Sequence, residues 1–210
     1  PLSVARMNFA AVSPRDYGLP TTAPGTVDYP EGTVATSNSG YFVAGSPGGG
    51  QRSVLDRIDY ANDTATAVAR GPLSSVRYRG GATGNNDFGY YAGGTNPSTE
   101  STVDRIDYSN DTATATPKGP LSGVAYLLAA TGNTHYGYFG GGNPSGHISK
   151  IDRIDYSNDT ATAVHAANLS LGRRKLAAVG TADFGYFASG TTPGNTVIDR
   201  IDYSNDTATA

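Results

Sequence analysis

The chain has 210 residues, a net charge of −3 and no cysteine. Disulfide frameworks and cysteine-based metal or redox centres are thereby excluded, and the mildly acidic balance offers no basic surface for nucleic acid. No apolar run approaches the ~20 residues of a membrane-spanning helix, and 28 Gly with 14 Tyr suit short strands and tight turns rather than long helices.

The chain opens on Pro1-Leu2-Ser3, a phrase that returns at Pro72 and Pro120 and survives as Leu169-Ser170. These opening residues carry neither the charged nor the apolar region of a secretory leader. They sit inside a repeat motif, so a precursor extending further upstream is compatible with them. Either residues 4–12 or residues 33–38 can form the first strand. Between them, residues 14–32 form an insertion rich in Pro, Thr and Gly.

From Gly40 onward the sequence is periodic, and that periodicity governs the reading. Asp-Arg-Ile-Asp-Tyr occurs at 56–60, 104–108, 152–156 and 199–203. Its second aspartate steps through Asp59, Asp107, Asp155 and Asp202, spacings of 48, 48 and 47. Each copy runs into Asn-Asp-Thr-Ala-Thr-Ala. Each is preceded by a Gly-Tyr-aromatic step at Gly40, Gly89, Gly137 and Gly185. The units are about 1–71, 72–119, 120–168 and 169–210.

The second unit shows the predicted elements most clearly. Its four strands fall at 76–83, 88–92, 102–108 and 112–116. A polar turn at 84–87 separates the first two. Gly93-Gly94 and a loop with Pro97 separate the next two, and Asn110-Asp111 forms a hairpin turn before the last. Short strands with a turn signal every 8–12 residues mean a sandwich, barrel or propeller. A period of four strands selects an all-β propeller of four-stranded blades, because one blade cannot bury both its faces alone. A closed four-bladed ring is the first expectation, and a segment of a longer array is the alternative.

Several residues carry a resemblance. A double glycine follows an aromatic strand at Gly93-Gly94 and Gly141-Gly142. A Tyr closes the next strand, a polar turn follows, and a Pro-Leu phrase leads onward. This order resembles a Kelch repeat in all four units. The double glycine is reduced to Ala44-Gly45 and Ser189-Gly190, and the Kelch tryptophan is replaced by Thr and Ala, so the chain is Kelch-like. Its near-verbatim repetition also resembles phage tail and adhesion proteins. The resemblance implies a virion or extracellular surface.

The repeated charges invite a functional reading as a ring of aspartates holding metal. Buried charges are usually paired, so the structural reading is Arg–Asp pairing within or between blades. The residues concerned are Arg57, Asp59, Arg105, Asp107, Arg153, Asp155, Arg200 and Asp202. Asn62, Asn110, Asn158, Asn168 and Asn205 match the glycosylation sequon, but turn chemistry accounts for the four in the repeat. Acid–base chemistry has little to work with. The histidines are His135, His147 and His165, the only glutamates are Glu31 and Glu100, and Asp16, Asp28, Asp87 and Asp183 alone fall outside the repeat motif. No metal site and no cofactor is expected.

The remaining variation lies in loops. The second-to-third-strand loops at 46–53, 95–101, 143–149 and 191–195 differ, as do the connections between units. In an up-and-down blade these two loop sets share one edge, while the Asn-Asp turns occupy the other. Ligand contact is expected there, through Arg52, Arg77, Arg79, His147, Arg173, Arg174 and Lys175. The expected function is a non-catalytic scaffold binding a protein or glycan, structural or adhesive. Homo-oligomers or a larger assembly are compatible with it. The rival readings are a glycan-cleaving hydrolase and a purely structural fibre subunit.

Overall fold

The computed structural model describes residues 10–12, 39–46, 50–191 and 196–210, with backbone alone at 10–12. The 14–32 insertion, the alternative first strand at 33–38 and parts of the 46–53 and 191–195 loops lie outside the described residues.

The chain is all-β and folds into antiparallel sheets, one per sequence unit. The first holds β1 (Ala10–Val12), β2 (Ser39–Val43), β3 (Leu55–Asp59) and β4 (Val68–Arg70) in that order. The second holds β5 (Gly81–Gly84), β6 (Phe88–Ala92), β7 (Val103–Asp107) and β8 (Thr116–Lys118). The third holds β9 (Ala129–Gly132), β10 (Tyr136–Gly140), β11 (Lys150–Asp155) and β12 (Val164–Asn168). The fourth has three strands, β13 (Ala177–Gly180), β14 (Phe184–Ala188) and β15 (Ile198–Asp202), instead of the four expected. By the register of the second unit, a counterpart of β8 would fall past Ala210.

β1 settles which segment supplies the first strand: it lies within residues 4–12 and pairs Ala10 with Val43. Two other boundaries shift. The first strand of the second unit is confined to Gly81–Gly84, because residues 76–80 bend to send Arg77 inward. The last strand starts at Thr116 rather than Thr112. Residues 111–115 instead form an arm over the boundary with the preceding unit, where Ala115 N donates to Pro72 O (2.8 Å) and Gly71 N donates to Asp111 O (2.8 Å). The Asn-Asp hairpin turn is likewise replaced by a 3-10 turn, Tyr108–Asn110, with Asp111 at φ −70°. The Asp107 carboxylate caps it by accepting from Ser109 N at 2.9 Å.

The core lies between sheets rather than within them. Alternation along a strand sends neighbouring side chains to opposite faces, and the Gly-Tyr-aromatic step exploits this. Tyr91 packs with Tyr41, Val43 and Leu55 of the first unit, whereas Tyr90 packs with Leu121, Leu128 and Phe139 of the third. Tyr138 and Ile151 meet Leu169, Phe187 and Ile201 of the fourth in the same way. The glycine of the step is needed for close approach: a Cβ on Gly89 would stand 2.7 Å from the Tyr108 hydroxyl. The first strands line up in sequence order, β5 against β1 and β9, and β9 against β13. Among the described residues, no packing of comparable extent joins β13 to β1.

The positions after the second strand explain the eroded double glycine. Gly93 and Gly141 adopt φ of +66° and +68°, and Ala44 and Ser189 hold the same left-handed conformation at 61° and 59°. A non-glycine residue there is strained but tolerated. The second glycine, at φ +101° to +116° in Gly45, Gly94, Gly142 and Gly190, is kept in every unit.

Candidate functional site

The repeated charges assemble into the junctions between units. Tyr41 Oη and Arg57 Nη1 both donate to Asp111 Oδ2 of the next unit, each at 2.9 Å. Tyr90 (3.0 Å) and Arg105 (2.9 Å) do the same to Asp159, and Tyr138 (2.8 Å) and Arg153 (2.6 Å) to Asp206. Arg70 and Lys118 add a further cation to Asp111 and Asp159, each at 3.3 Å. Beside each carboxylate two tyrosines stack across the junction, Tyr41 on Tyr108, Tyr90 on Tyr156 and Tyr138 on Tyr203, with ring centroids 4.7–4.9 Å apart. Burial first, then the hydrogen bond and charge of Asp111, push the Tyr41 phenol up to about 12. Tyr90 and Tyr138 are raised as well, again chiefly by burial and then by their aspartates.

Arg57, Arg105 and Arg153 thus pair across units, and the same-strand aspartates of the motif have a different task. Asp59, Asp107, Asp155 and Asp202 accept from the backbone N–H two residues on, each at 2.9 Å. The Ser109, Ser157 and Ser204 hydroxyls bind the last three, which holds Asp107, Asp155 and Asp202 below the ordinary carboxylate value of 3.8. By sequence alone the junction acceptors Asp111, Asp159 and Asp206 are turn residues. One signal pointed to more: a polar turn accepts many residues, yet this aspartate returns unchanged in every unit.

The first aspartate of the motif explains the Pro-Leu-Ser phrase. Asp104 accepts from Ser74 N (2.9 Å) and Ser74 Oγ (2.7 Å), while Leu73 is buried beside it. Asp152 and Asp199 receive Ser122 and Ser170 in the same manner. A cation completes each site: Arg77 for Asp104 (3.0 Å), Arg173 for Asp199 (2.7 Å) and Lys150 for Asp152 (3.2 Å), where Ala125 replaces the arginine. Arg77 and Arg173 were expected on the ligand face, and the structure corrects this. Both are 0% exposed. Arg77 donates to Gly93 O (3.0 Å) and Arg173 to Phe187 O (3.0 Å), because a buried guanidinium must satisfy its donors internally.

Of the remaining loop candidates, Arg79, Arg174 and Lys175 lie on between-unit connections and Arg52 and His147 on second-to-third-strand loops. Thr95 pairs with Tyr78, Thr191 with Arg174, and Asn143 N donates to Tyr126 O (3.0 Å), so the second-to-third-strand loops of the last three units each lie against a between-unit connection. Arg79, Leu127 and Lys175 occupy one equivalent position, all with φ between 58° and 65°. Leu127 N donates to Arg79 O and Lys175 N to Leu127 O, which chains the three connections in a row. The Arg79 guanidinium lies over the Tyr78 ring (4.6 Å). Arg52, His147 and Lys175 are exposed, and Arg79 and Arg174 are half-buried.

The opposite edge carries the 3-10 turns and the first hairpin turns, tied together by Tyr108 N to Asp87 O (3.1 Å) and Tyr203 N to Asp183 O (2.9 Å). A shallow depression of about 430 Å³ opens there between Asn133, Asp183, Phe184, Asp202 and Ser204. Among the described residues no three His, Asp or Glu side chains cluster as metal ligands would. No helix among them is long and apolar enough to cross a membrane. The molecule is, by fold and site, an all-β repeat protein of stacked antiparallel sheets. No protein-family model matches the chain, and no curated protein sequence matches it.

Proposed function

We propose that the chain is a non-catalytic scaffold of propeller-like, Kelch-like blades that offers one loop edge to a protein or glycan, as a structural or adhesive component of a virion or cell surface. One observation carries the reading. Most of the repeated charges, Arg200 and Asp63 apart, are taken up in junctions, caps and buried pairs, while Arg52, Arg79, His147, Arg174 and Lys175 stand on the loops and connections that differ between units. Loops on a rigid scaffold are where recognition usually sits, and Tyr and Arg are favoured anchors. The propeller-like arrangement draws support from the ordered row of first strands and from cores placed between consecutive sheets. The surface location rests on the likeness of the repeat style to phage tail and adhesion proteins.

The test is retention of the purified chain on immobilised oligosaccharides of defined structure and on whole bacterial cells. Arg174→Glu combined with Lys175→Glu is expected to reduce retention at least about tenfold, the scale of losing a charged contact. Thr134→Glu on the opposite edge is expected to leave it unchanged. The reverse ranking, or no retention on either support, overturns the reading.

A further inference from the structure

Three junctions of one design lie inside the chain, and the surfaces at its two ends carry the separated halves of a fourth. Each internal junction needs, from the earlier unit, a tyrosine and an arginine opposite each other on the second and third strands, with an aliphatic residue beside them. The fourth unit has all of these. Tyr186 faces Arg200 in the ladder as Tyr138 faces Arg153, and Ile198 stands where Ile151 stands. Ile151 is 0% exposed but Ile198 is 65% exposed, and Val179, the counterpart of buried Thr131, is 68% exposed. Arg200 is already held over the Phe184 ring (4.6 Å), as Arg153 is over Tyr136 (4.8 Å), but no carboxylate among the described residues pairs with it.

From the later unit each junction needs an aspartate on the turn and a tyrosine to stack. In the first unit these are Asp63 and Tyr60. Asp63 is exposed and has no ion pair among the described residues, and Tyr60 is 51% exposed, whereas its counterpart Tyr203 is 9% exposed. The charges are complementary, cation at one end and anion at the other, so each surface fits its opposite and repels itself.

We propose that these halves join between two copies of this chain, head to tail. Tyr186 and Arg200 of one copy donate to Asp63 of the next, Tyr60 stacks on Tyr186, and Ile198 and Val179 become covered. The inference rests on the internal junctions and is independent of the proposed loop-edge ligand. A head-to-tail contact closes into a ring or extends into a filament according to the rotation per copy. The second copy is the occupant because it supplies the acceptor and ring that the internal junctions use, in the same sequence order.

The experiment measures the mass of the purified 210-residue chain by sedimentation velocity over roughly 1–100 µM, the range of a modest protein interface. Association into dimers or larger species is expected. Arg200→Glu alone and Asp63→Arg alone should each weaken it at least about tenfold, and mixing the two variants should restore it. Far-UV circular dichroism and the urea midpoint should match the parent, since both side chains are exposed. A second readout uses the absence of native cysteine. Chains carrying Tyr60→Cys and chains carrying Tyr186→Cys, mixed and treated with a short bismaleimide, should cross-link with each other but not with themselves. A chain that stays monomeric throughout, or that associates regardless of both reversals, overturns the proposal. So does a chain carrying both Tyr60→Cys and Tyr186→Cys that cross-links only within itself, which would mean that its own first unit occupies the face.

Discussion

The junction between the third and fourth units and the free face of the fourth are built from nearly the same sequence and are in opposite physical states. Ile151 and Tyr138 are sealed beneath Leu169, Phe187 and Tyr203, while Ile198 faces solvent and Tyr186 is only partly covered. The strand pairing is the same in both, Tyr138 opposite Arg153 and Tyr186 opposite Arg200. The pairing of the second and third strands therefore forms without a neighbour, and the neighbour supplies the burial. Stability in such an array is a sum of unit and nearest-neighbour terms, and here the apolar part of that sum resides almost wholly in the neighbour term.

Truncating the matched isoleucines gives the largest expected contrast. Ile151→Ala should destabilise the chain by about 2–5 kcal/mol, the range for a buried aliphatic residue. Ile198→Ala should stay within about 0.5 kcal/mol, as for an exposed position. Urea denaturation at concentrations low enough to keep the chain monomeric measures both. Equal losses would mean that the fourth face is covered in solution.

Asparagine substitution of the matched aspartates comes next. Asp159→Asn weakens the site that holds Tyr90, Arg105 and Lys118, and a loss of about 1–3 kcal/mol is expected for under-satisfied buried partners. Asp63→Asn, at an exposed carboxylate, should leave the urea midpoint unchanged.

Alkaline pH should then act on the junctions selectively. A junction phenol ionises near its ordinary value of 10.0 in the unfolded chain but near about 12 at folded Tyr41. The folded state binds the proton more tightly, so its contribution is full below pH 10 and is lost as pH rises from there through about 12. A urea midpoint that falls over this window, with a shallower fall in Tyr41→Phe, is the expected result.

Acid should produce the smallest effect. Asp107, Asp155 and Asp202 lie below 3.8 when folded, so their contribution is full above that value and is lost as pH falls through the folded values. These caps are largely exposed and screened by solvent. The decline below pH 4 should be slight, and Ser109→Ala should reduce it without moving the alkaline limb.

Much of this architecture is legible in the sequence. The period, the all-β class and the second strand of the second unit at 88–92 follow from local rules. Alternation and turn chemistry act over a few residues and need no knowledge of what lies across the junction. Tertiary structure alone decided the partners. Asp107 is the near neighbour of Arg105 in sequence, but the turn backbone claims its carboxylate, and Asp159 from the next unit reaches the guanidinium instead. Arg77 and Arg174 look alike as loop cations; one is drawn under the chain by buried Asp104 and the other stays at the surface. The same holds for Ile151 and Ile198. The sequence places each on an inward-facing strand position, but burial is a property of the space between sheets, and only an adjacent sheet can remove that surface from water.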